Sequence, residues 1–230
     1  MTQTALVTGA ARGIGFALVQ RLAQSGWNVH ACARDASACE PVSNVAWHSL
    51  DVTDFAAVDA LATYLRGTPV DLLVNNAGAG PRGGGALGSI DYAQWRKVLE
   101  INTLAPIKMI EAFAGHVAAS QRKLVVSISS ELGSGAAIDA HGLGGSGPWI
   151  HYRSSKGALN IAQRSIDAAL KDHGITAFLV HPGWVVSSIG GPHAALTPEQ
   201  SAAGIAETIE SADASLHGAF VTFDGRRLAW

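Results

Sequence analysis

The sequence predicts an α/β fold: one domain, residues 1–230, built as a doubly wound parallel sheet with helices on both faces. Three observations lead there. Short apolar segments alternate with helix-period segments along the chain. A glycine turn, Thr8-Gly9-Ala10-Ala11-Arg12-Gly13-Ile14-Gly15, joins the first strand to the first helix. Two further glycine-rich stretches, Gly78 to Gly88 and Gly133 to Gly147, follow the fourth and fifth strands, where the loops of such a sheet face the ligand crevice.

Each element has its own pattern. Ala5-Leu6-Val7 reads as a buried first strand, and Phe16, Leu18, Val19, Leu22 and Ala23 recur at helical spacing before Gly26 closes the helix. Later strands are expected at Asn28 to Ala33, Val45 to Leu50, Asp71 to Asn75, Lys123 to Ser129, Ile175 to His181 and Ala219 to Phe223. Helices are expected at Phe55 to Leu65, Tyr92 to Ala118, His151 to His173 and Pro198 to Ser211. No linker, repeat or charged tail suggests a second domain.

Composition narrows the function classes. With 48% hydrophobic and 15% charged residues the chain can bury a large core. A net charge of −2 without a basic run argues against a nucleic-acid partner. No apolar run reaches the roughly 18 residues of a membrane span, and the start lacks a secretory pattern, so a soluble cytoplasmic protein is expected. Cys32 and Cys39 do not form CxxC and read as free thiols. The histidines show no metal-ligand spacing, and no catalytic metal is expected.

The chemistry is carried by Tyr152-Arg153-Ser154-Ser155-Lys156. Residues four apart share a helix face, so the phenol and the ammonium can reach one reacting atom. A free tyrosine titrates at about pH 10, and a fixed positive charge nearby is expected to lower that value. Such a tyrosine exchanges a proton with a carbonyl or alcohol oxygen. Carbonyl redox also needs a hydride carrier, and the glycine turn offers a place to hold one. Gly9 permits the tight turn, Gly13 admits a pyrophosphate, Gly15 allows close packing, and the helix N-terminus presents unpaired N–H groups.

The glycine turn, Asn75-Asn76-Ala77-Gly78 after the fourth strand, and YxxxK together resemble the short-chain dehydrogenase/reductase family, whose fold is Rossmann-type. The resemblance implies cofactor contacts from Gly9, Ala11, Arg12, Gly13, Ile14, Gly15, Asn75, Ala77 and Gly78. It adds Asp51 and Val52 at the adenine, and Pro182, Gly183, Val185 and Ser187 around the nicotinamide carboxamide. Lys156 would contact the nicotinamide ribose beside Tyr152. The family's catalytic serine falls on Ser130, with Ser129 as the rival. Asn102, ahead of Pro106, corresponds to an asparagine that bends its helix and holds a water linked to the lysine. His181 and Trp184 read as packing residues.

Charge indicates which cofactor to expect. The position that carries an acid in NAD-selective relatives is Ala33, followed by Arg34, while Arg12 lies in the glycine turn. Two guanidinium groups suit a 2′-phosphate, so NADP(H) is expected, although Asp35 could be argued as a ribose ligand.

The stretch between Ser130 and Tyr152 is longer than is usual in the family. Several C-terminal phrases, Tyr-Arg-Ser-Ser-Lys-Gly-Ala-Leu-Asn and His-Pro-Gly-Trp-Val among them, are similar to the Sniffer and C-factor type of carbonyl reductase. That resemblance implies NADPH-dependent reduction of a small neutral carbonyl compound, or oxidation of the alcohol, by a homodimer or homotetramer. A redox sensor or developmental signalling protein with little turnover is the alternative. Pocket walls are expected at Gly80 to Leu87, Leu132 to Trp149 and Ser188 to Leu196. Trp149 is expected either to stack on substrate or to staple the tyrosine's helix.

Overall fold

Strands that are apolar on both sides cannot leave either face to water, so they call for helices on both. A computed structural model describes residues 2–80, 87–136 and 149–230 and shows that arrangement. Seven strands, β1 (Thr4–Thr8), β2 (Asn28–Ala33), β3 (Val45–Ser49), β4 (Leu72–Asn75), β5 (Leu124–Ile128), β6 (Thr176–His181) and β7 (Phe220–Thr222), form one parallel sheet. Its order is β3-β2-β1-β4-β5-β6-β7. The chain winds one way from β1 to β3 and the other way from β4 onward. The crevice therefore opens at the carboxyl ends of β1 and β4, where the winding reverses.

The helices are α1 (Gly13–Gln24), α2 (Phe55–Tyr64), α3 (Tyr92–Leu99), α4 (Ala105–Ala118), α5 (Ile150–Asp172) and α6 (Pro198–Glu210). On one face Val7, Val29, Val74, Val126, Phe178 and Val180 pack under Leu18, Leu22, Ile205 and Ile209 of α1 and α6. On the other, Leu6, Leu73 and Val125 pack under Val58 and Leu61 of α2, Met109 and Phe113 of α4, and Leu170 of α5. Full burial of each large side chain contributes about 1.5–3 kcal/mol. Helix α6 begins with a capping box: Thr197 Oγ1 accepts from the Gln200 N–H, and Gln200 Oε1 accepts from the Thr197 N–H.

One expected element is divided. The stretch Tyr92 to Ala118 is two α-helices joined by a π-helical turn, Glu100–Leu104. Pro106 supplies the reason. It has no N–H for the carbonyl of Asn102, four residues before, and its ring crowds that carbonyl, so a regular α ladder cannot pass. Strand β4 begins at Leu72, one residue later than expected. Asp71 instead uses its carboxylate to accept from the backbone N–H groups of Thr4, Gln121 and Arg122, tying β1 to the segment leading into β5. Cys32 is buried and Cys39 partly so, and both are free.

On β2 and β3, His30 Nδ1 and His48 Nε2 share a hydrogen bond of 2.9 Å. Burial holds both imidazoles below the ordinary histidine value of 6.5, with His30 adding repulsion at His48. The folded chain thus binds fewer protons than the unfolded chain below about pH 6.5, so the pair's contribution is complete above that pH and is lost as pH falls. Thermal melts should show the protein losing stability from pH 7 to pH 5. A His48→Phe variant should lose less over the same range, and an unchanged slope would contradict the assignment.

Candidate active site

The glycine turn is built by close approach. Gly9 has φ +65° and Gly13 φ +57°, conformations that disfavour a side chain. A Cβ on Gly15 would lie 2.4 Å from both Asn76 Nδ2 and the Gly9 carbonyl oxygen, so only glycine fits there. A Cβ on Gly13 would meet nothing within 4 Å, which leaves that side of the turn open to a ligand. No side chain caps α1: Arg12, at the N-cap, makes no capping bond, and the first N–H groups of a helix have no partner within it. Ala11 and Arg12 are exposed, and Ile14 is partly so.

Asn76 and Thr8 hold the turn against β4. Asn76 Nδ2 donates to the carbonyls of Thr8 and Gly9, at 2.9 and 3.1 Å. Thr8 Oγ1 accepts from the backbone N–H groups of Asn76 and Ala77. The neighbouring asparagine turns the other way. Asn75 is buried, and its amide donates to Ser127 Oγ at 3.2 Å and the Pro106 carbonyl at 3.4 Å. The side chain at the glycine turn is thus that of Asn76, which the sequence reading did not single out.

At the end of β2, Ala33 is buried and Arg34 exposed. Asp35 Oδ1 accepts from the Ser37 N–H at 3.0 Å and from its hydroxyl at 2.6 Å. Asp51 accepts from the N–H and hydroxyl of Thr53, which hold its carboxyl below the usual range, with Arg34 and Lys97 adding to the effect. Asp54, and not Asp51, caps α2. Val52 is buried beside Thr8 and Ala77.

The expected proton-handling residues meet where α5 crosses the end of β5. Tyr152 is 8% exposed, and Ser130 is near enough to favour its ionised form. Ser129, the rival, donates instead to Asn160 Oδ1 at 2.5 Å. Lys156 Nζ donates to the Ile128 carbonyl at 2.7 Å and lies 5.9 Å from the centre of the Tyr152 ring. Burial pushes the tyrosine up to about 12, with Ser130 acting against it, and brings the lysine down to about 8. The lowered tyrosine expected from the lysine's charge is therefore not found in the protein alone. Desolvation of a phenolate outweighs the effect of an ammonium that is itself desolvated. Trp149 meets the Tyr152 ring edge-on, 6.1 Å between centres.

Asn102 lies in the π turn and is fully buried. Its Oδ1 accepts from the Ala79 N–H at 2.8 Å, and its Nδ2 donates to the Ala79 carbonyl and to Ser155 Oγ, each at 2.9 Å. Both amide donors are thus committed to protein groups. A Cβ on Gly78 would reach Asn102 Oδ1 at 3.5 Å and Lys156 Nζ at 4.0 Å, so Gly78 is where the loop after β4 passes over the lysine.

After β6, Pro182 accepts a hydrogen bond from Ser201 Oγ, and Gly183 (φ +81°) packs against Leu196 and Phe223. Val185 is buried and bridges to Leu196. Ser187 Oγ closes its own turn, accepting from the N–H groups of Ile189 and Gly190. His181 pairs with Glu131 at 3.5 Å. Trp184, read as a packing residue, is 55% exposed, its Nε1 donating to the Gly190 carbonyl. Of the expected pocket walls, residues 81–86 and 137–148 lie outside the described residues, Arg82, Asp139 and His141 among them. Among the described residues, no group of three metal-binding side chains gathers, and no helix is long and apolar enough to cross a membrane.

The pattern of the short chain dehydrogenase family matches residues 3–195. The chain belongs to that family. It is 34% identical to C-signal of Myxococcus xanthus over 171 residues, 74% of this chain and 99% of that one. Among solved structures, the NADPH-bound carbonyl reductase from chicken fatty liver superposes with a TM-score of 0.87 at 29% identity, covering 100% of this chain and 99% of that one. The carbonyl reductase Sniffer of D. melanogaster gives 0.89 at 28%, covering both chains fully. As a short chain dehydrogenase the protein is an oxidoreductase with a Rossmann-type sheet.

The Gly15 geometry has a measurable consequence. Gly15→Ala forces its Cβ into Gly9 and Asn76, and overpacking of this kind costs about 1–3 kcal/mol. The melting temperature should fall, and nucleotide binding should be lost with it. Gly26→Ala, where a Cβ meets nothing but φ is +84°, should lower the melting temperature while sparing binding.

Proposed function

We propose that this protein is a cytoplasmic NADPH-dependent carbonyl reductase acting on a small neutral ketone or aldehyde, with Tyr152 as proton donor and acceptor. The observation that carries the reading is the gathering of buried Ser130, Tyr152 and Lys156 at the end of β5, with Lys156 5.9 Å from the tyrosine ring and one turn along the same helix face. Membership of an oxidoreductase family and likeness to carbonyl reductases, one of them NADPH-bound, support it.

The open side of Gly13 and the uncapped start of α1 fit a dinucleotide pyrophosphate. Gly9, Ala11, Arg12, Gly13, Ile14 and Gly15 would hold it, with Asp51 and Val52 at the adenine and Ala77 and Gly78 beneath the ribose. Pro182, Gly183, Val185 and Ser187 would border the nicotinamide. Arg12 and Arg34 would pair with a 2′-phosphate; Ala33 offers no carboxylate, and Asp35 Oδ1 is turned onto Ser37. The bound cofactor supplies the hydride.

In reduction, Tyr152 gives its phenolic proton to the substrate oxygen as negative charge develops there. Ser130 donates a hydrogen bond to the same oxygen and polarises the carbonyl before transfer. The Lys156 ammonium sits near enough to stabilise the phenolate that remains, and Asn102 fixes the loop above it. In oxidation the proton travels from the alcohol to the phenolate. The exposed apolar residues Tyr92, Leu104 and Ile161 of α3, the π turn and α5 support a homodimer or homotetramer joined across these helices.

Likeness to C-signal supports a second reading, a signalling protein with little turnover. Oxidation of NADPH against a panel of ketones, aldehydes, diketones and quinones separates the two. Turnover is expected, reduced about 10²–10⁴-fold in Tyr152→Phe. NADPH binding without turnover of any panel member would favour the second reading. Arg34→Ala should raise KM for NADPH and leave that for NADH nearly unchanged; equal effects on both would overturn the cofactor assignment.

The pH dependence has a definite sign. Reduction needs the protonated phenol, and burial keeps Tyr152 protonated up to about 12. Oxidation needs the phenolate. The kcat/KM for alcohol oxidation should climb through the alkaline range while that for reduction stays flat through neutrality. A bell centred near pH 7 for oxidation would contradict the assignment.

A further inference from the structure

Helix α5 presents Tyr152, Lys156 and Asn160 at successive turns of one face. The first two have roles in the proposed reaction. Asn160 has none, yet it is 2% exposed. An amide buried in mid-helix is costly unless both its ends are paired.

Both ends are paired, and with the same turn. Asn160 Oδ1 accepts from the Ser129 hydroxyl at 2.5 Å, and Nδ2 donates to the Gly133 carbonyl at 3.4 Å. Ser129 and Gly133 flank the turn that carries Ser130. The turn closes internally, the Gly133 N–H donating to the Ser130 carbonyl at 2.8 Å and the Leu132 N–H to Ser130 Oγ at 3.2 Å. It is pressed onto α5, where a Cβ on Gly133 would lie 2.6 Å from the Lys156 carbonyl carbon and 2.8 Å from the Gly157 nitrogen. On its other side the Ser129 N–H donates to the Val180 carbonyl of β6 at 2.8 Å.

We propose that Asn160 is a positioning residue that grips both flanks of the Ser129–Gly133 turn and so sets the Ser130 hydroxyl against Tyr152. The inference rests on the catalytic reading of Ser130 and Tyr152. The turn's internal bonds fix its shape, but only contacts with α5 fix its register against the helix that carries the tyrosine. Asn160 supplies the directional part of that contact, and the glycine approach supplies the distance. Ser129 is thereby also committed: its one proton goes to Asn160 and is not offered to substrate.

The test uses the full chain as Asn160→Ala, Ser129→Ala, Ser130→Ala and the Asn160→Ala/Ser130→Ala double variant. Asn160→Ala should lower kcat for carbonyl reduction by about tenfold or more, in line with the cost of small misplacements of reacting groups. The dissociation constant for NADPH, read by its fluorescence, should stay within about twofold of the parent, because the cofactor contacts are untouched. Ser129→Ala should lower kcat in the same direction by a smaller factor.

Added to Ser130→Ala, the Asn160 change should cost less than about twofold, since residues acting through one group are not additive. In the oxidation direction the alkaline limb should move to higher pH in Asn160→Ala, as Tyr152 loses a well-placed donor. Multiplying losses in the double variant, or kcat within about twofold of the parent in Asn160→Ala, would overturn the proposal. If Asn160→Ala does not fold, Ser129→Ala decides, an unchanged kcat overturning it. A Ser130→Ala protein as fast as the parent would instead sink the underlying reading, and the proposal with it.

Discussion

The rest of the site depends on one buried charge finding one carbonyl. Lys156 Nζ is out of water, and the Ile128 carbonyl at the end of β5 accepts from it at 2.7 Å. Removing an ammonium from water without an acceptor is prohibitive, so this bond fixes how far along β5 the helix sits. Once α5 is at that height, Tyr152 falls beside Ser130 one turn earlier and Asn160 beside Ser129 one turn later. The close approach of Gly133 to the backbone at Lys156 and Gly157 lets the two segments come near enough for all three contacts together. The same burial sets the resting protonation: phenol neutral, ammonium weakened to about 8.

A second constraint holds the other half of the crevice. Thr8 and Asn76 tie the end of β4 to the glycine turn through side-chain bonds that leave the outer side of Gly13 open. The two halves are connected by Asn102, which bonds Ala79 in the loop after β4 and Ser155 on α5. Ser155 in turn donates to the Tyr152 carbonyl at 2.7 Å. The π turn lets Asn102 do this, because the break in the ladder that Pro106 enforces reorients the residues just before it. A helix irregularity costly to the helix alone thus lets one amide bridge the loop after β4 and the helix that carries Tyr152.

The sheet was legible because its strands are continuous apolar runs, and burial on both faces is what such runs require. Strand ends were less legible: Asp71 has strand neighbours but a side chain spent on other backbone, which no local pattern reveals. The division of Tyr92 to Ala118 was hidden because a π turn inserts one residue and shifts the apolar phase only slightly, leaving Pro106 as the lone signal. Which of Asn75 and Asn76 faces the glycine turn depends on where β4 ends, a matter of one residue's parity. That Ser129 is bound by Asn160, thirty-one residues away, was likewise beyond any local pattern. The tyrosine's upward shift was invisible for the same reason: YxxxK encodes the charge nearby but not the depth of burial that outweighs it.

In the proposed site, cofactor selection would rest on the missing acid at Ala33 as much as on Arg12 and Arg34. Arg34 is exposed at the end of β2, and two carboxylates near it are each turned onto a neighbouring residue. Asp35 folds onto Ser37, and Asp51 onto Thr53. Both bonds fall on Oδ1 in each case, which orients the carboxylate while Oδ2 keeps its lone pairs. Ala33 completes the pattern. It is 4% exposed, and its carbonyl accepts from the Leu50 N–H at 2.7 Å, so a carboxylate placed there would start from a largely buried position. Reversing the preference would therefore take more than one acidic substitution. The arginines would have to be neutralised and an acceptor moved outward, because the backbone at Ala33 is already committed to the sheet.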